Sequence, residues 1–184
     1  MLDTIREQKN AKEISIRYVF LAALFWILTL SWIVCIFMLS ADTASESSDL
    51  SNTVLMYINE LFNMNIKDDG VLRVIAHASE FALLTVFSYL ALSSTNKIST
   101  KTSYAESPVK LLRSDNEMNI IFTLWFTIIN AIFDEYHQLF VDGRDGSILD
   151  VLIDLIGIIF ILIIVRVVFT IYMKTKGKSE VIYT

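Results

Sequence analysis

Between Phe133 and Gly157 this chain places six carboxylates, one of its two histidines and an arginine. Histidine is suited to proton transfer near neutral pH, and carboxylates can act as acids, bases or metal ligands. An arginine holds carboxylate or phosphate groups by paired hydrogen bonds. Asp134, His137 and Gln138 stand at i, i+3 and i+4, with Glu135 between them, so a helix would bring the three to one face. Asp150, Asp154 and Gly157 repeat that stripe at i, i+4 and i+7. A third pair, His77 and Glu80, is three residues apart much earlier in the chain. Arg144 lies in Asp142-Gly143-Arg144-Asp145-Gly146-Ser147, where two glycines permit tight turns.

The residues that must position these groups are very apolar. Of 184 residues, 54% are hydrophobic, and the mean hydropathy of +0.56 exceeds that of an ordinary soluble domain. Tyr18 to Leu39 has no charge and is long enough as a helix to cross a hydrocarbon core of ~30 Å. Further apolar runs follow at Val74–Leu92, Asn119–Phe133 and Ile148–Ile171. In lipid the backbone must satisfy its own hydrogen bonds, which makes such runs helices. The fold expected is all-α and polytopic, with transmembrane helices at about 18–39, 74–92, 119–138 and 148–171 in one membrane domain, 18–171. Tails at 1–17 and 172–184 flank it. The first run is too long for a signal-peptide core and has no clear cleavage site, so it is expected to remain as a span.

Residues 40–53 are polar and serine-rich, and about 53–64 reads as a short amphipathic outer helix with Val54, Leu55, Ile58, Leu61 and Phe62 on one face. Lys67 to Gly70 is a turn signal. Residues 93–118 read as a mobile loop with little chemistry, containing the single proline. Cys35, alone in the first span, reads as an apolar filler.

Lysine and arginine set the expected orientation. Twelve of the fifteen lie in the N-terminal tail, the loop between spans two and three, and the C-terminal end. Lys67, Arg73 and Arg144 make up the rest. Both termini are therefore expected in the cytoplasm, with residues 133–157 facing outward. The basic residues are too dispersed for a nucleic-acid surface.

All three polar stripes then fall near the outer ends of their helices. An ionisable group inside the membrane is costly and should turn into the bundle rather than toward lipid. Toward the cytoplasm the spans carry almost no ionisable group before Arg166, so a transmembrane proton or ion relay lacks stepping stones. An outward-open pocket is the expectation. It could be a structural polar core, a binding site or an acid–base or metal site. Asp-Glu-Tyr-His-Gln is not the HExxH arrangement of a zinc helix, so no metal and no cofactor are expected.

Three blocks carry a family resemblance. They are FMLSADTASESSDLS at 37–51, LRVIAHASEFALL at 72–84 and AIFDEYHQLFVDGRDGSILDVLIDLIG at 131–157. In that order the chain resembles the VanZ-like family of small membrane proteins, whose founding member is associated with teicoplanin resistance. Val74 stands where that family usually has Lys, and Asp142 where Pro is common. The resemblance implies a bacterial plasma-membrane protein linked to glycopeptide or lipoglycopeptide resistance, without a settled reaction. Candidate binding residues are His77, Glu80, Asp134, Glu135, His137, Gln138, Arg144, Asp150 and Asp154. The expected partner is a membrane lipid, a lipid-linked cell-wall precursor or the antibiotic itself. The competing reading is a membrane enzyme using His77/Glu80 and Asp134/His137 on an envelope intermediate. With no activated nucleophile visible, the balance falls on binding.

Overall fold

The computed structural model describes residues 14–63, 70–98 and 108–181. It is all-helical there: α1 (Ile16–Ser40), α2 (Ala44–Phe62), α3 (Gly70–Asn96), α4 (Pro108–Gln138) and α5 (Ile148–Val181). Four segments are long and apolar enough to cross a membrane: Ile16–Ser40, Gly70–Asn96, Asp115–Gln138 within α4, and Ile148–Thr175 within α5. They run up and down in alternation, with α2 in the first connection.

The distribution of side chains is that of a protein dissolved in lipid. On α1, Phe20, Leu24, Ile27, Leu30, Val34 and Met38 are exposed at helical spacing, whereas Thr29 and Ser40 are buried. Thr85 and Ser88 of α3, Thr123 and Thr127 of α4 and Asp154 of α5 are also buried. In water such an apolar exterior would be a large unfavourable surface. In a bilayer it is the solvated face, and the bundle interior is where polar groups find partners. Thr29, Thr85 and Thr127 accordingly donate to the carbonyls of Phe25, Phe81 and Thr123, at 2.8, 2.7 and 2.8 Å. The fold and its surface define a multi-pass helical membrane protein.

Helix α3 occupies the centre, packed most extensively on α1 and α5 and also on α4. Its apolar anchor joins Phe81 and Leu84 to Ile36, Ala131, Ile158 and Leu162. Trp32 of α1 donates to the Glu80 carbonyl at 2.9 Å, and Trp26 donates to Thr95 Oγ1 at 3.1 Å near the opposite end. These two indoles fix α1 against α3 along its length.

Several helices are longer than their apolar runs. Helix α2 begins at Ala44, well before the amphipathic stretch expected from residue 53. The serine-rich segment is helical because Thr43 and Glu46 form a reciprocal capping box, and Asn63 closes the other end in the left-handed region at φ 52°. Only part of its expected apolar face turns inward: Leu55 is buried, while Val54 and Leu61 are exposed. Helix α4 begins at Pro108, so residues 108–118, expected to be loop, are helix; proline suits the first helical turn because its missing N–H would be unpaired there. Helices α3 and α5 also overrun their apolar cores, since polar residues at a bundle's ends can continue a helix into water. The turn expected at 67–69, the middle of the expected loop at 99–107 and the tails at 1–13 and 182–184 lie outside the described residues.

Candidate functional site: a buried carboxylate–histidine cluster

The C-terminal end of α1, the start of α3, the end of α4 and the start of α5 meet at one end of the bundle. Asp134, Glu135 and Gln138 from α4, His77 from α3 and Asp154 from α5 are all buried there. Two close approaches bring them together. Gly157 lies against the backbone of Ala78, where a Cβ would overlap the Ala78 carbonyl oxygen. Asp154 is one turn before that contact and His77 is next to it. Gly146 is likewise pressed on the Glu135 carbonyl and Leu139, which folds the loop after α4 back over the helix end.

His77 Nδ1 lies 3.6 Å from Asp154 Oδ1, the pair being ionic when the imidazole is protonated. Glu135 accepts from the backbone N–H of Ser147 at 2.8 Å and from Gln138 Nε2 at 3.4 Å. Gln138 Nε2 is also 3.3 Å from Asp134 Oδ2. Asp134 Oδ1, both carboxylate oxygens of Asp154 and His77 Nδ1 are buried with no hydrogen-bond partner from the protein. Buried polar atoms are normally satisfied, so four such atoms beside a cavity mark where water, an ion or a ligand group would complete the cluster.

In front of this cluster is a cavity of about 130 Å³. His77, Glu80, Asp134, Gln138, Arg73 and Arg144 are among its lining residues, with Ser40 and Asp42 from the end of α1 and Ser47 and Ser51 from α2. Helix α2 thus closes one side. Arg144 is tethered rather than paired with an acid. Its Nε donates to the Asp42 carbonyl at 2.9 Å, and its terminal nitrogens donate to Gln138 Oε1 at 3.4 Å and to the Leu39 carbonyl at 3.5 Å. The Leu39 and Asp42 carbonyls sit at the C-terminal end of α1, where a cation complements the helix dipole. Burial, and then the neighbouring Arg73, pull the Arg144 pKa below its ordinary value, opposed by Asp42, Asp134 and Glu135. The guanidinium remains charged and has further N–H groups to offer the cavity.

Of the residues expected at the site, His77, Glu80, Asp134, Gln138 and Arg144 line this cavity, and Glu135 and Asp154 lie in the adjoining buried cluster. Asp150 is half-buried one turn before Asp154. His137 stands apart, its ring edge-on to Phe37 at 5.8 Å between centroids. The helical spacing that grouped it with Asp134 and Gln138 is correct for a face, but Asp134, Glu135 and Gln138 define the inward one. Ser40, Asp42 and Arg73 were not singled out as site residues. Arg73 and Asp42 could have been suspected from their places at the ends of spans leading into the same region.

A second and larger cavity, about 660 Å³, lies at the other end of the bundle between α1, α3, α4 and α5. Tyr89 donates to Asn116 Oδ1 at 2.5 Å, and Asn96 donates to Asn119 Oδ1 at 2.7 Å. Both asparagines of α4 are buried. Its polar lining contains Lys97 and Asp115 but no histidine. The cluster of buried carboxylates is at the opposite end, so size alone does not mark the site.

A family model described as VanZ/LLP1 matches residues 25–170, a stretch that holds the smaller cavity's lining and every residue of the buried cluster. The chain belongs to that family. Neither the curated proteins nor the solved structures compared with it gave a match.

Proposed function

We propose that this protein binds the phosphate-bearing headgroup of a membrane lipid, such as a lipid-linked cell-wall precursor, at the outer surface of a bacterial plasma membrane. In this role it contributes to tolerance of glycopeptide or lipoglycopeptide antibiotics. The single observation that carries the reading is the cavity with Arg73 and Arg144 in its wall at the end of a transmembrane bundle. Arginine recognises phosphate through a planar fork of donors. The lysine and arginine distribution, twelve against three, favours this end as the outer one.

Of the two ligands that the sequence left open, size favours the lipid headgroup. Pockets for drug-sized molecules typically hold ~300–1,000 Å³, and this cavity holds about 130 Å³. A phosphoryl-sized group enters such a space; a glycopeptide antibiotic does not. The remainder of a lipid ligand would lie along the exposed apolar flanks of α2, where Leu50, Met56, Tyr57 and Leu61 are uncovered. Amphipathic helices of this kind rest in membrane interfaces.

The test is binding of phosphate-bearing lipids to protein in nanodiscs, read by native mass spectrometry. Arg73→Ala and Arg144→Ala should each weaken retention of lipids carrying an exposed phosphate, and antibiotic protection should fall in cells with the protein still present. Full protection by Glu80→Ala, Asp134→Ala and Arg144→Ala variants would sink the proposal. An enzymatic reading is favoured by one observation, the orphaned acids beside the cavity. Turnover of a lipid-linked precursor by purified protein would support it.

A further inference from the structure

We infer that His77, Glu135 and Asp154 form a binding site for a single divalent transition-metal ion, zinc in the first instance. Each of the three residues offers a ligating atom, and these atoms lie within 4.8 Å of one another. All three residues are buried. They come from three different helices, α3, α4 and α5, so the site exists only in the assembled bundle.

Geometry supports a metal over a direct hydrogen bond. The 3.6 Å between His77 Nδ1 and Asp154 Oδ1 is too long for a good N–H···O contact. It is close to the edge of a zinc tetrahedron, about 3.4 Å for metal–ligand bonds of about 2.1 Å. The trio's atoms, within 4.8 Å of one another, need to close by at most about 1.4 Å to reach that spacing, within the reach of side-chain rotation.

The orphaned atoms give the second, independent argument. Both oxygens of Asp154 and Nδ1 of His77 are buried without a hydrogen bond from the protein, the 3.6 Å approach of the two residues being their one polar contact with each other. An imidazole nitrogen and a carboxylate buried side by side, too far apart for a good hydrogen bond, are an arrangement that a cation between them resolves. Glu135 is held differently, its Oε2 accepting from the Ser147 N–H at 2.8 Å. Metal-bound carboxylates are commonly oriented by such an outer hydrogen bond. Charge points the same way: two carboxylates neutralise a dication, whereas Arg144 directs its hydrogen bonds to carbonyl and amide oxygens. Two or more uncompensated carboxylates inside a membrane bundle are costly.

One imidazole and two carboxylates leave a zinc ion short of its usual four ligands. His77 also lines the cavity, so the fourth position can open toward it. The donor set is suited to zinc or manganese and lacks the thiolates that select copper(I). Cys35 takes no part. The inference stands whether or not the cavity binds a phosphate, and it departs from the sequence-based expectation of no metal.

The test uses the full chain in detergent, stripped with EDTA and re-equilibrated with zinc. The expected result is about one zinc per protein by mass spectrometry of the elements, with X-ray absorption showing one imidazole and otherwise oxygen donors. Asp154→Asn and Glu135→Gln should lower zinc affinity at least about tenfold, while His137→Ala should leave it unchanged. Zinc-free wild-type protein after micromolar loading would overturn the inference. So would zinc bound without imidazole scattering, a reading that needs no variant to fold.

Discussion

Gly157 of α5 is packed directly on the backbone of Ala78 of α3, with no room for a Cβ between them. The contact sets how far apart the two helices stand at the level of the site, and therefore the distance from His77 to Asp154. Small residues at a membrane helix crossing allow such close approach. Substituting Gly157→Ala should push the helices apart, because backbone cannot yield as a flexible side chain would. The expected cost is about 1–3 kcal/mol, as for other overpacked interiors, seen as a lower melting temperature in detergent. Zinc affinity should fall with it, since one member of the trio moves away. An unchanged melting temperature would show that α5 can slide on α3 without loss.

Arg144 and the end of α1 offer a second test. Three contacts tie its guanidinium to the Asp42 carbonyl, the Leu39 carbonyl and Gln138. Lysine keeps the charge but has a single nitrogen, which cannot reach three separated oxygens with the same geometry. Arg144→Lys should therefore behave more like Arg144→Gln than like wild type. The readout is amide exchange: residues 38–43 and 143–147 should exchange faster in both variants. If lysine restored wild-type protection, charge alone would be holding this corner.

How much of this was open to the sequence depends on the type of signal. The spans were legible because length and lack of charge are one-dimensional properties, and lipid forces such runs into helices. That His77, Asp134 and Asp154 would meet followed from the cost of turning ionisable groups toward lipid. The early start of α2 was written in Thr43 and Glu46 as a capping box, yet the serines around it read as loop. Which of Glu135 and His137 would turn inward was not legible. They are two residues apart near a helix end, and the choice rests on how the loop at Gly146 folds over Glu135. The cavity at the other end was also hidden, because Tyr89, Asn116 and Asn119 carry no motif and meet only through packing of α3 on α4.

Helix α2 should respond to acid at its first turn. The Glu46 carboxylate accepts from the Thr43 N–H at 2.9 Å and from its hydroxyl at 2.8 Å. These hydrogen bonds, the hydroxyl's first, hold its pKa below the ordinary value of 4.5. A lowered pKa in the folded state means that the folded state favours the ionised form. The stabilisation is thus fully present above the ordinary value and is lost as pH falls through the lower, folded one. Amides at the start of α2 should then exchange faster, relative to the middle of the helix, in acid well below pH 4.5. Glu46→Gln should remove most of that pH dependence. Thr43→Ala, which deletes the cap itself, should cost about 1 kcal/mol of local helix stability at any pH.

The orientation of the whole bundle can be decided by labelling. Arg166 and Lys174 belong to the basic end, while Asp145 is exposed in the loop beside the buried cluster. Positively charged segments are retained in the cytoplasm during insertion, so the Asp145 loop should emerge on the far side. A Cys35→Ala background removes the native thiol, and single cysteines are then introduced as D145C and K174C. A membrane-impermeant maleimide should label D145C in intact cells and K174C only after the membrane is opened. The reverse pattern would put the arginine-walled cavity in the cytoplasm. A lipid headgroup could still reach it there, but from the inner leaflet, and direct protection against an antibiotic acting outside would lose its structural basis.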